Sequence, residues 1–511
     1  MPNEKAKAAN WQVVIENALR MHPGVQEAGV VHDGRDGIAA FVVPGDPYLD
    51  DVLGRGTAGS SVLGKWRKTF DLTQFTKNAA SAPVGFNTMG WNSSYTRQPI
   101  SLEEMREWVE TTVADILQLA PKAVYEIGCG TGMLLMRIAP CCDRYVAVDF
   151  SSVVLDRVRE QLRTVPPVAE RVEVLERRAD NFDGLDENSF DTVVLNSVVQ
   201  FFPNLAYLTK VLENTVNIVK PGGYVFVGDI RSLPLLPAFA SSVELFQATD
   251  GVSAGELRDR IERRIQLDRE LVLSPAYFLS LRHRLPKLSR VEIQLRRGRA
   301  DNEMTRYRYN AILHVGHGTE AASEVAFQDW PERELTLDDI RSKLLQRPNE
   351  RIGFKCIRNA RIEKDLTTLR KIRTADMAQT AGELRSEGEQ NFVGGIHPQD
   401  LVDLATHDFG FQVFLSWAAC RPDGSYDAFL IPTRSLQGKA LPAIGWPEPK
   451  ASEFVRLANA PGQGQVRSKL IDQLVTHCSQ NLPEEMIPRY IALVDTVVRT
   501  PGGDVDPSAH F

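Results

Sequence analysis

Apolar and polar positions alternate along residues 101–228 in a way that predicts a layered α/β core. Ser101 and Glu104 form a capping-box pattern, and the apolar residues that follow at helical spacing predict a helix that buries one face. Short apolar runs then predict strands at 123–127, 145–149, 172–175, 190–195 and 224–228. Helical patterns at 133–138 and 153–162 separate the first of these runs. Strands that alternate with helices predict a parallel sheet.

A glycine-rich loop follows the first predicted strand, with acidic residues on both sides of it. The pattern is E-x-G-x-G-x-G, beginning at Glu126 and including Gly128 and Gly130, and the next strand ends at Asp149. Glycines let the backbone approach a ligand, and an acid at the tip of the second strand can accept hydrogen bonds from ribose hydroxyls. A carboxylate beside the loop would repel a pyrophosphate but suits the ammonium of a methionine moiety. The spacing therefore predicts an adenosine-containing ligand.

These residues resemble the first motif of the class I S-adenosylmethionine (SAM) methyltransferases. The resemblance implies a Rossmann-like fold, SAM as cofactor, S-adenosylhomocysteine as product, and no metal. In this superfamily the loop after the third strand meets the adenine. The implied cofactor-binding residues are Tyr95, Glu126, Gly128, Cys129, Gly130, Asp149, Phe150, Asp180, Asn181, Phe182 and Asn196.

Composition sets outer bounds on the function. The length of 511 residues predicts about three domains, and a net charge of -7 leaves no basic field for nucleic acid. No apolar run approaches the roughly 18 residues needed to span a bilayer, and the first residues contain no apolar leader, so we expect a cytoplasmic protein without a membrane partner. The six cysteines lack C-x-x-C spacing and are expected to be reduced thiols rather than metal ligands.

The two ends of the chain resemble two parts of a single subdomain. Residues 10–43 predict a helix and two strands, and they resemble the opening of the small C-terminal subdomain of nonribosomal peptide synthetase adenylation domains. Residues 482–507 resemble the remainder of that subdomain. Asp504 stands where the synthetase pattern has a catalytic lysine, and nothing resembles the large ATP-binding subdomain. We therefore expect a structural or docking module rather than adenylation activity.

Further stretches, including "GWNSSYTRQPI", "NSVVQFFP" and "VKPGGYVFVGDIRSLPLLPAF", resemble the methyltransferase domains inserted into such adenylation domains. The predicted organisation is a first adenylation-like part at 1–46, a linker at 47–85, the methyltransferase domain at 86–318, an α/β cap or accessory region at 319–432, and a second adenylation-like part at 433–511. The fold class is α/β with additional small α/β domains. We expect the accessory region to serve as a substrate-side cap or as the surface of a homodimer.

Polar residues near the predicted carboxyl ends of strands are candidates for chemistry and substrate binding. Candidate catalytic residues are Asn196, Asp229 and Glu244, the two acids because an amine acceptor must lose a proton. Glu303 could face a substrate ammonium, and Arg231 or Arg306 could pair with a carboxylate. The full substrate-side set is Gln200, Arg231, Asn302, Glu303, Arg306, Tyr307 and Tyr309. A solvated hairpin is the alternative for 296–314, and 91–96 is either a lid or a surface loop.

The resemblance implies an amino-acid acceptor, usually methylated on nitrogen as a carrier-bound aminoacyl thioester. A thioether acceptor has no proton to lose, and Asp229 could then stabilise a product sulfonium. Because no carrier domain is recognised, one hypothesis is S-methylation of free L-methionine to S-methylmethionine on the route to dimethylsulfoniopropionate, as in bacterial stand-alone methionine S-methyltransferases. The alternative is N-methylation of a free or carrier-bound aminoacyl substrate, with a carrier protein or synthetase as partner.

Overall fold

A computed structural model describes most of the chain. The described residues are 2–32, 37–45, 63–64, 66–69, 71, 83–316, 327–328, 336–390, 394–436, 443–449, 456–461, 463–494, 496–500 and 505–506. They divide into two compact units, one built from 1–64, 266–269 and 460–511 and the other from 65–265 and 270–459. Asp504 and most of the predicted linker lie outside the described residues.

The regular elements follow the sequence pattern closely. The strands are β1 Val25–His32, β2 Ile38–Pro44, β3 Ala123–Ile127, β4 Arg144–Asp149, β5 Val172–Glu176, β6 Phe190–Asn196, β7 Val219–Arg231, β8 Leu288–Leu295, β9 Arg308–Val315, β10 Phe327–Gln328, β11 Ile352–Ile357, β12 Phe411–Ser416, β13 Tyr426–Pro432 and β14 Tyr490–Leu493. The helices are α1 Pro2–Arg20, α2 Leu102–Leu117, α3 Leu135–Ile138, α4 Ser152–Arg163, α5 Pro166–Ala169, α6 Leu205–Ile218, α7 Leu236–Gln247, α8 Ala254–Gln266, α9 Pro275–Arg284, α10 Glu303–Arg306, α11 Leu337–Gln346, α12 Glu363–Thr374, α13 Ala381–Gln390, α14 Pro398–Asp403 and α15 Gln463–Asn481.

The larger unit is organised around one sheet, which in the described residues has the order β10-β11-β13-β12-β8-β9-β7-β6-β3-β4-β5. Strands β5, β4, β3, β6 and β7 run parallel, and β9 lies antiparallel between β7 and β8. The chain leaves β3 for β4 on one side and later returns to β6 on the other. That reversal opens a crevice at the carboxyl ends of these strands. The predicted α/β fold class is confirmed.

Apolar residues on the central strands alternate between two cores. Val193 and Leu195 of β6 belong to the core on one face of the sheet, and Val194 belongs to the core on the other. Helix α2 packs into that second core through Met105, Trp108, Val109, Val113 and Ile116, as the sequence predicts. Its capping box is present, with Ser101 accepting from the Glu104 amide. Burial on both faces explains the unbroken apolar runs of the parallel strands.

Three elements differ in extent from the sequence pattern. Helix α3 covers only Leu135–Ile138, because the glycine turn occupies the residues before it. Strand β7 extends over Val219–Arg231, beyond the predicted strand at 224–228 on both sides. Strand β9 begins at Arg308, where Arg308 pairs with Arg231 of β7. Pairing with a neighbouring strand thus extends β7 and β9 into polar sequence that an apolar run cannot reveal.

The region predicted as a separate cap continues the central sheet. Strand β12 joins β8 where Ser416 pairs with Gln294, and the Ser416 hydroxyl donates a 2.7 Å hydrogen bond to the Ile293 carbonyl. Phe354 of β11 and Leu430 of β13 belong to the same apolar core as Leu295 of β8. Residues from this region can therefore contact the site directly, while the predicted boundary at 318 stays a prediction.

The smaller unit is assembled from both ends of the chain. Strands β1 and β2 pair antiparallel, and β14 pairs parallel with β2, aligning Ala492 with Phe41. Helices α1 and α15 contribute Ile15, Leu19 and Leu474 to a shared buried core. The ends that resemble two halves of one subdomain thus pack as one unit.

Neither a membrane span nor a metal cluster is found among the described residues. None of their helices is long and apolar enough to cross a bilayer. No group of three or more His, Cys, Asp and Glu side chains in the same residues is placed to hold a metal ion.

Candidate active site

The glycine loop after β3 forms one wall of the crevice. Gly128, Gly130 and Gly132 have φ values of 74°, 52° and 80°, in the left-handed region that favours glycine. A Cβ on Gly128 would lie 2.4 Å from Cγ2 of Val198, whereas a Cβ on Gly130 would meet nothing within 4 Å. Gly128 is therefore required for internal packing, and the open face of Gly130 leaves room for a ligand.

Two buried carboxyl groups flank this loop. Glu126 is 3% exposed and accepts a 2.9 Å hydrogen bond from the Tyr145 hydroxyl, and burial raises its pKa to about 7. Asp149 accepts from the Gly130 amide through one oxygen and from the Ser151 amide through the other, both at 3.0 Å. A carboxylate has about four acceptor positions, so Asp149 retains capacity for ligand hydroxyls. Burial also raises the pKa of Asp149.

The residues proposed to contact adenine lie on a braced loop after β5. Asp180 accepts from the Tyr207 hydroxyl at 2.9 Å and from Arg178 at 3.1 Å, and Asn181 accepts from the Asp183 amide at 2.9 Å. Phe182 lies against the core, with its ring centroid 6.3 Å from that of Tyr125. The sequence reasoning missed the Arg178 and Tyr207 partners. Two further residues that were predicted to bind the cofactor lie outside this loop. Cys129 is buried in the glycine loop, and Phe150 is half-buried after β4.

Two buried side chains at and just after the end of β6 present oxygens without partners among the described residues. Asn196 Oδ1 and Gln200 Oε1 have no hydrogen-bond partner among the described residues, although both side chains are buried. Asn196 pairs in register with Gly228, where an added Cβ would lie 2.2 Å from that Asn196 oxygen. Buried acceptors normally have donors, so these oxygens indicate a ligand that supplies N–H or O–H groups. The cofactor's ammonium fits that requirement.

Asp229, a candidate catalytic acid, is fully enclosed by donors. It is 0% exposed and has a φ of 60°, a strained value for a residue other than glycine. Its carboxylate accepts from the Trp108 indole at 3.1 Å and from Arg308 at 2.5 Å. Arg296 lies buried 5.7 Å from the centre of the Trp108 ring. The sequence pattern identified Trp108 only as an apolar helix position and missed both arginines.

Three further charged candidates are already paired inside the protein. Glu244 accepts from Arg264 at 2.5 Å, and Arg231 donates to Glu270 at 2.9 Å. Arg306 donates to Asp301 at 2.7 Å and lies 3.4 Å from Asp365. Their roles as base or carboxylate ligands stay predictions, and each would require exchanging an existing partner for the substrate.

The predicted substrate segment folds onto neighbouring elements. Asn302 caps α10 by accepting from the Met304 amide at 3.0 Å, and its amide donates to Glu104 at 3.1 Å. Glu303 accepts from the Ser94 amide at 2.9 Å and from the Ser94 hydroxyl at 2.8 Å. Tyr309 is fully buried and donates to the Leu273 carbonyl at 3.1 Å. Glu303 therefore holds the segment before α2. It does not lie in a solvated hairpin, which is the alternative for 296–314.

Residues 87–96, named here the covering segment, cross the carboxyl edge of the sheet. Thr131 of the glycine loop donates to the Asn87 carbonyl at 3.2 Å. The Trp91 ring lies 4.7 Å from that of Trp108, whose indole binds Asp229 at the end of β7. Gln247 of α7 donates to the Ser94 and Tyr95 carbonyls at 2.8 and 3.0 Å. The segment thus contacts the glycine loop, Trp108 and α7, and its role as a lid stays a prediction.

Tyr95 and Tyr307 meet in a network that the sequence could not reveal. The Tyr95 and Ser242 hydroxyls are 2.8 Å apart, those of Ser242 and Tyr307 are 3.1 Å apart, and Tyr307 donates to Asp365 at 2.5 Å. Asp365 lies on α12, in the region to which sequence reasoning assigned no chemistry. Its neighbours Glu363 and Lys364 make it look like part of an ordinary charged helix.

The comparisons with known proteins agree with this geometry. Residues 125–225 match the family model described as a methyltransferase domain. Chondramide synthase CmdD of Chondromyces crocatus is 36% identical over 97% of this chain. A probable non-canonical nonribosomal peptide synthetase, CymA, of Salinispora arenicola is 29% identical over 99% of it, and the nonribosomal peptide synthetase AgiA of Aspergillus flavus is 30% identical over 97%. The chain spans only 13%, 6% and 6% of these relatives.

Residues 125–225 therefore form a methyltransferase domain, and the predicted enzyme class and SAM cofactor are confirmed for it. The predicted resemblance to methyltransferases of nonribosomal peptide synthetases is confirmed as well. The open face of Gly130, the remaining acceptor capacity of Asp149 and the unpartnered oxygen of Asn196 fit SAM.

Proposed function

We propose that this SAM-dependent methyltransferase, similar to segments of nonribosomal peptide synthetases, methylates the amino group of an aminoacyl substrate whose carboxyl group is esterified. The observation that carries the proposal is the similarity to chondramide synthase along 97% of the chain, an extent far beyond residues 125–225. Similarity of that extent goes beyond the methyltransferase domain itself and covers the unit built from the chain ends.

The pairing of the candidate arginines supports an esterified substrate. A free amino acid carries a carboxylate, which proteins commonly bind with arginine. Arg231 and Arg306 were predicted for that task, yet they lie 2.9 Å from Glu270 and 2.7 Å from Asp301 respectively. Because an aminoacyl thioester has no free carboxylate, it needs no arginine to bind one.

The residues of this chain contribute mainly by positioning the acceptor. When bound, SAM supplies an electrophilic methyl carbon to an in-line displacement. The buried ends of β6 and β7 provide polar atoms for orientation, and the covering segment excludes water from the crevice. Holding the reacting atoms about 3 to 3.5 Å apart accounts for much of the acceleration in such reactions.

The other hypothesis from the sequence, S-methylation of free L-methionine, finds no support among the relatives named above. A carrier protein or synthetase is proposed as the partner instead, since two of the three relatives are nonribosomal peptide synthetases by name. The unit built from the chain ends is a candidate surface for that partner.

The test is methyl transfer from labelled SAM to matched acceptors. Each amino acid is offered free, as its N-acetylcysteamine thioester, and attached to a carrier protein, and the products are identified by mass spectrometry. We expect N-methylated thioester and little product from the free amino acids. Product from free methionine alone would overturn the proposal, and the site of methylation in that product would identify the acceptor atom.

A further inference from the structure

A continuous line of hydroxyl groups joins the covering segment to a buried acid. It runs from Tyr95 through Ser242 on α7 and Tyr307 to Asp365 on α12, with separations of 2.8, 3.1 and 2.5 Å. Tyr307 and Asp365 are 4% and 8% exposed, so bulk water does not interrupt this end. Four residues from four different segments thus form one connected path.

The ionised acid gives the path a direction. Tyr307 donates its only proton to Asp365, so its oxygen can accept from Ser242, whose oxygen can in turn accept from Tyr95. All hydroxyl protons then point toward Asp365, and the Tyr95 oxygen retains lone pairs for a proton from the crevice. The Ser242 hydroxyl can also donate to the Phe239 carbonyl at 2.9 Å, so the path is complete only when that hydroxyl turns toward Tyr307.

The Tyr95 end of the path belongs to the covering segment, which also contacts the glycine loop and Trp108. The covering segment passes from the glycine loop over Trp108 and Asp229 before it reaches Tyr95. The Tyr95 ring lies edge-on to Phe239 and Phe246 of α7, with centroids 6.4 and 5.6 Å away. This packing fixes the ring while its hydroxyl meets Ser242.

Charges around Asp365 suit it to receive a proton. Burial raises its pKa, and the charge of Arg306, 3.4 Å away, opposes that rise. Tyr307, Asp301 and Lys364 are the other groups that act on it. On α7, the acid Glu244 is paired with Arg264. The two cations Arg306 and Lys364 therefore favour the ionised form of Asp365, while its burial favours the uptake of a proton.

We propose that Tyr95, Ser242, Tyr307 and Asp365 form the route by which the acceptor amine loses its proton, an inference that rests on the proposed N-methylation. The substrate N–H bond breaks, its proton passes to the Tyr95 oxygen, and each hydroxyl passes its own proton onward until Asp365 is a neutral acid. The nitrogen lone pair left behind forms the bond to the methyl carbon as the bond from that carbon to sulfur breaks.

The experiment compares the wild-type chain with Asp365→Asn and Ser242→Ala. Both variants should bind SAM normally by calorimetry but lose about 10²- to 10⁴-fold in single-turnover methyl transfer near neutral pH. Raising the pH should restore part of the rate, because solvent then deprotonates the amine. The solvent deuterium isotope effect of the wild type should fall in both variants.

Thr209→Val is the matched control, since the Thr209 hydroxyl lies 2.9 Å from that of the buried Tyr277 but outside the path. It should keep the wild-type pH profile. A loss that is equal at every pH in Asp365→Asn and Ser242→Ala, or an isotope effect unchanged from wild type, would overturn the route alone. A wild-type chain that methylates no amine would overturn the proposed function and the route together.

Discussion

Single residues set the shape of the cofactor site, and Gly130 does so most directly. Its φ is 52°, and the direction in which a side chain would project is empty for 4 Å. Gly410, at the turn before β12, has a φ of 67° and an equally open surrounding, yet lies in no predicted site. Both glycines have positive φ values, but only Gly130 belongs to the predicted cofactor site.

Gly130→Ala is expected to weaken SAM binding by about tenfold or more, equivalent to roughly 1.4 kcal/mol. Its methyl group would enter the ligand space, and an alanine in the left-handed region adds about 1–2 kcal/mol of strain. Gly410→Ala should lose similar stability while binding SAM normally. Calorimetric titration and thermal unfolding of both variants separate the two effects, and equal loss of binding in the two would contradict this assignment.

Glu126 is expected to make the unliganded protein less stable as pH rises. Its folded-state pKa of about 7 exceeds its unfolded value of 4.5, so the folded chain binds more protons between these values. Its contribution falls through that range by a few kcal/mol, on the order of 3. Glu126→Gln should flatten this part of the profile in urea unfolding followed by tryptophan fluorescence. Replacing the exposed Glu173 by Gln should leave the slope unchanged, and a wild-type slope in Glu126→Gln would refute the assignment.

At the scale of elements, side chains from two other elements hold the part of the covering segment around Ser94 and Tyr95. Glu303 binds the amide and the hydroxyl of Ser94, and Gln247 binds two carbonyls beside it. Hydrogen bonds to a charged group contribute about 1.5–3 kcal/mol each. Glu303 and Gln247 therefore fix this part of the covering segment.

Glu303→Ala should release the covering segment, because both bonds to Ser94 are lost. We expect amide exchange at 91–96 to accelerate about tenfold or more by hydrogen–deuterium mass spectrometry, and less in Ser94→Ala, which keeps the backbone bond. Glu383→Ala is the control, since Glu383 holds the amide and hydroxyl of Thr380 in the same manner. Unchanged exchange at 91–96 in Glu303→Ala would show that other contacts hold the segment.

Sequence pattern predicts elements better than it predicts their partners. Strands β1, β3 and β6 and helices α2 and α4 lie where apolar spacing and caps place them, because burial of a face imposes a period on the residues. The ion pairs of Glu244 and Arg231 were not predictable, since Arg264 and Glu270 reach them from later segments. The same holds for Asp365, whose helix must first dock before its carboxyl meets Tyr307.

At the scale of the whole molecule, the two ends of the chain resemble parts of one subdomain, and they pack together as one unit. The spacing of apolar residues alone does not predict this packing. No pattern in the sequence predicts that β12 joins β8, because a single register pair connects those strands. Long-range neighbours in a sheet leave little trace in one sequence, whereas a resemblance carries them implicitly.

Leu474→Ala is expected to destabilise the smaller unit by about 2–5 kcal/mol, since its side chain is 0% exposed in the core shared by α1 and α15. Val475→Ala, at a position 45% exposed, should change little. Affinity for SAM should stay at the wild-type value in both, because the cofactor residues lie in the other unit. Thermal scans and SAM titrations check both statements, and lost SAM affinity in Leu474→Ala would contradict the second.

The pairing of β14 with β2 also sets an order for synthesis on the ribosome. Val42 leaves the exit tunnel long before its partner Leu493 is made, and at roughly 5–20 residues per second the delay is on the order of a minute. During that interval one edge of β2 has no neighbouring strand, and unpaired strand edges can pair with other chains. Expression of this protein should therefore respond to translation rate and to chaperones that shield nascent chains.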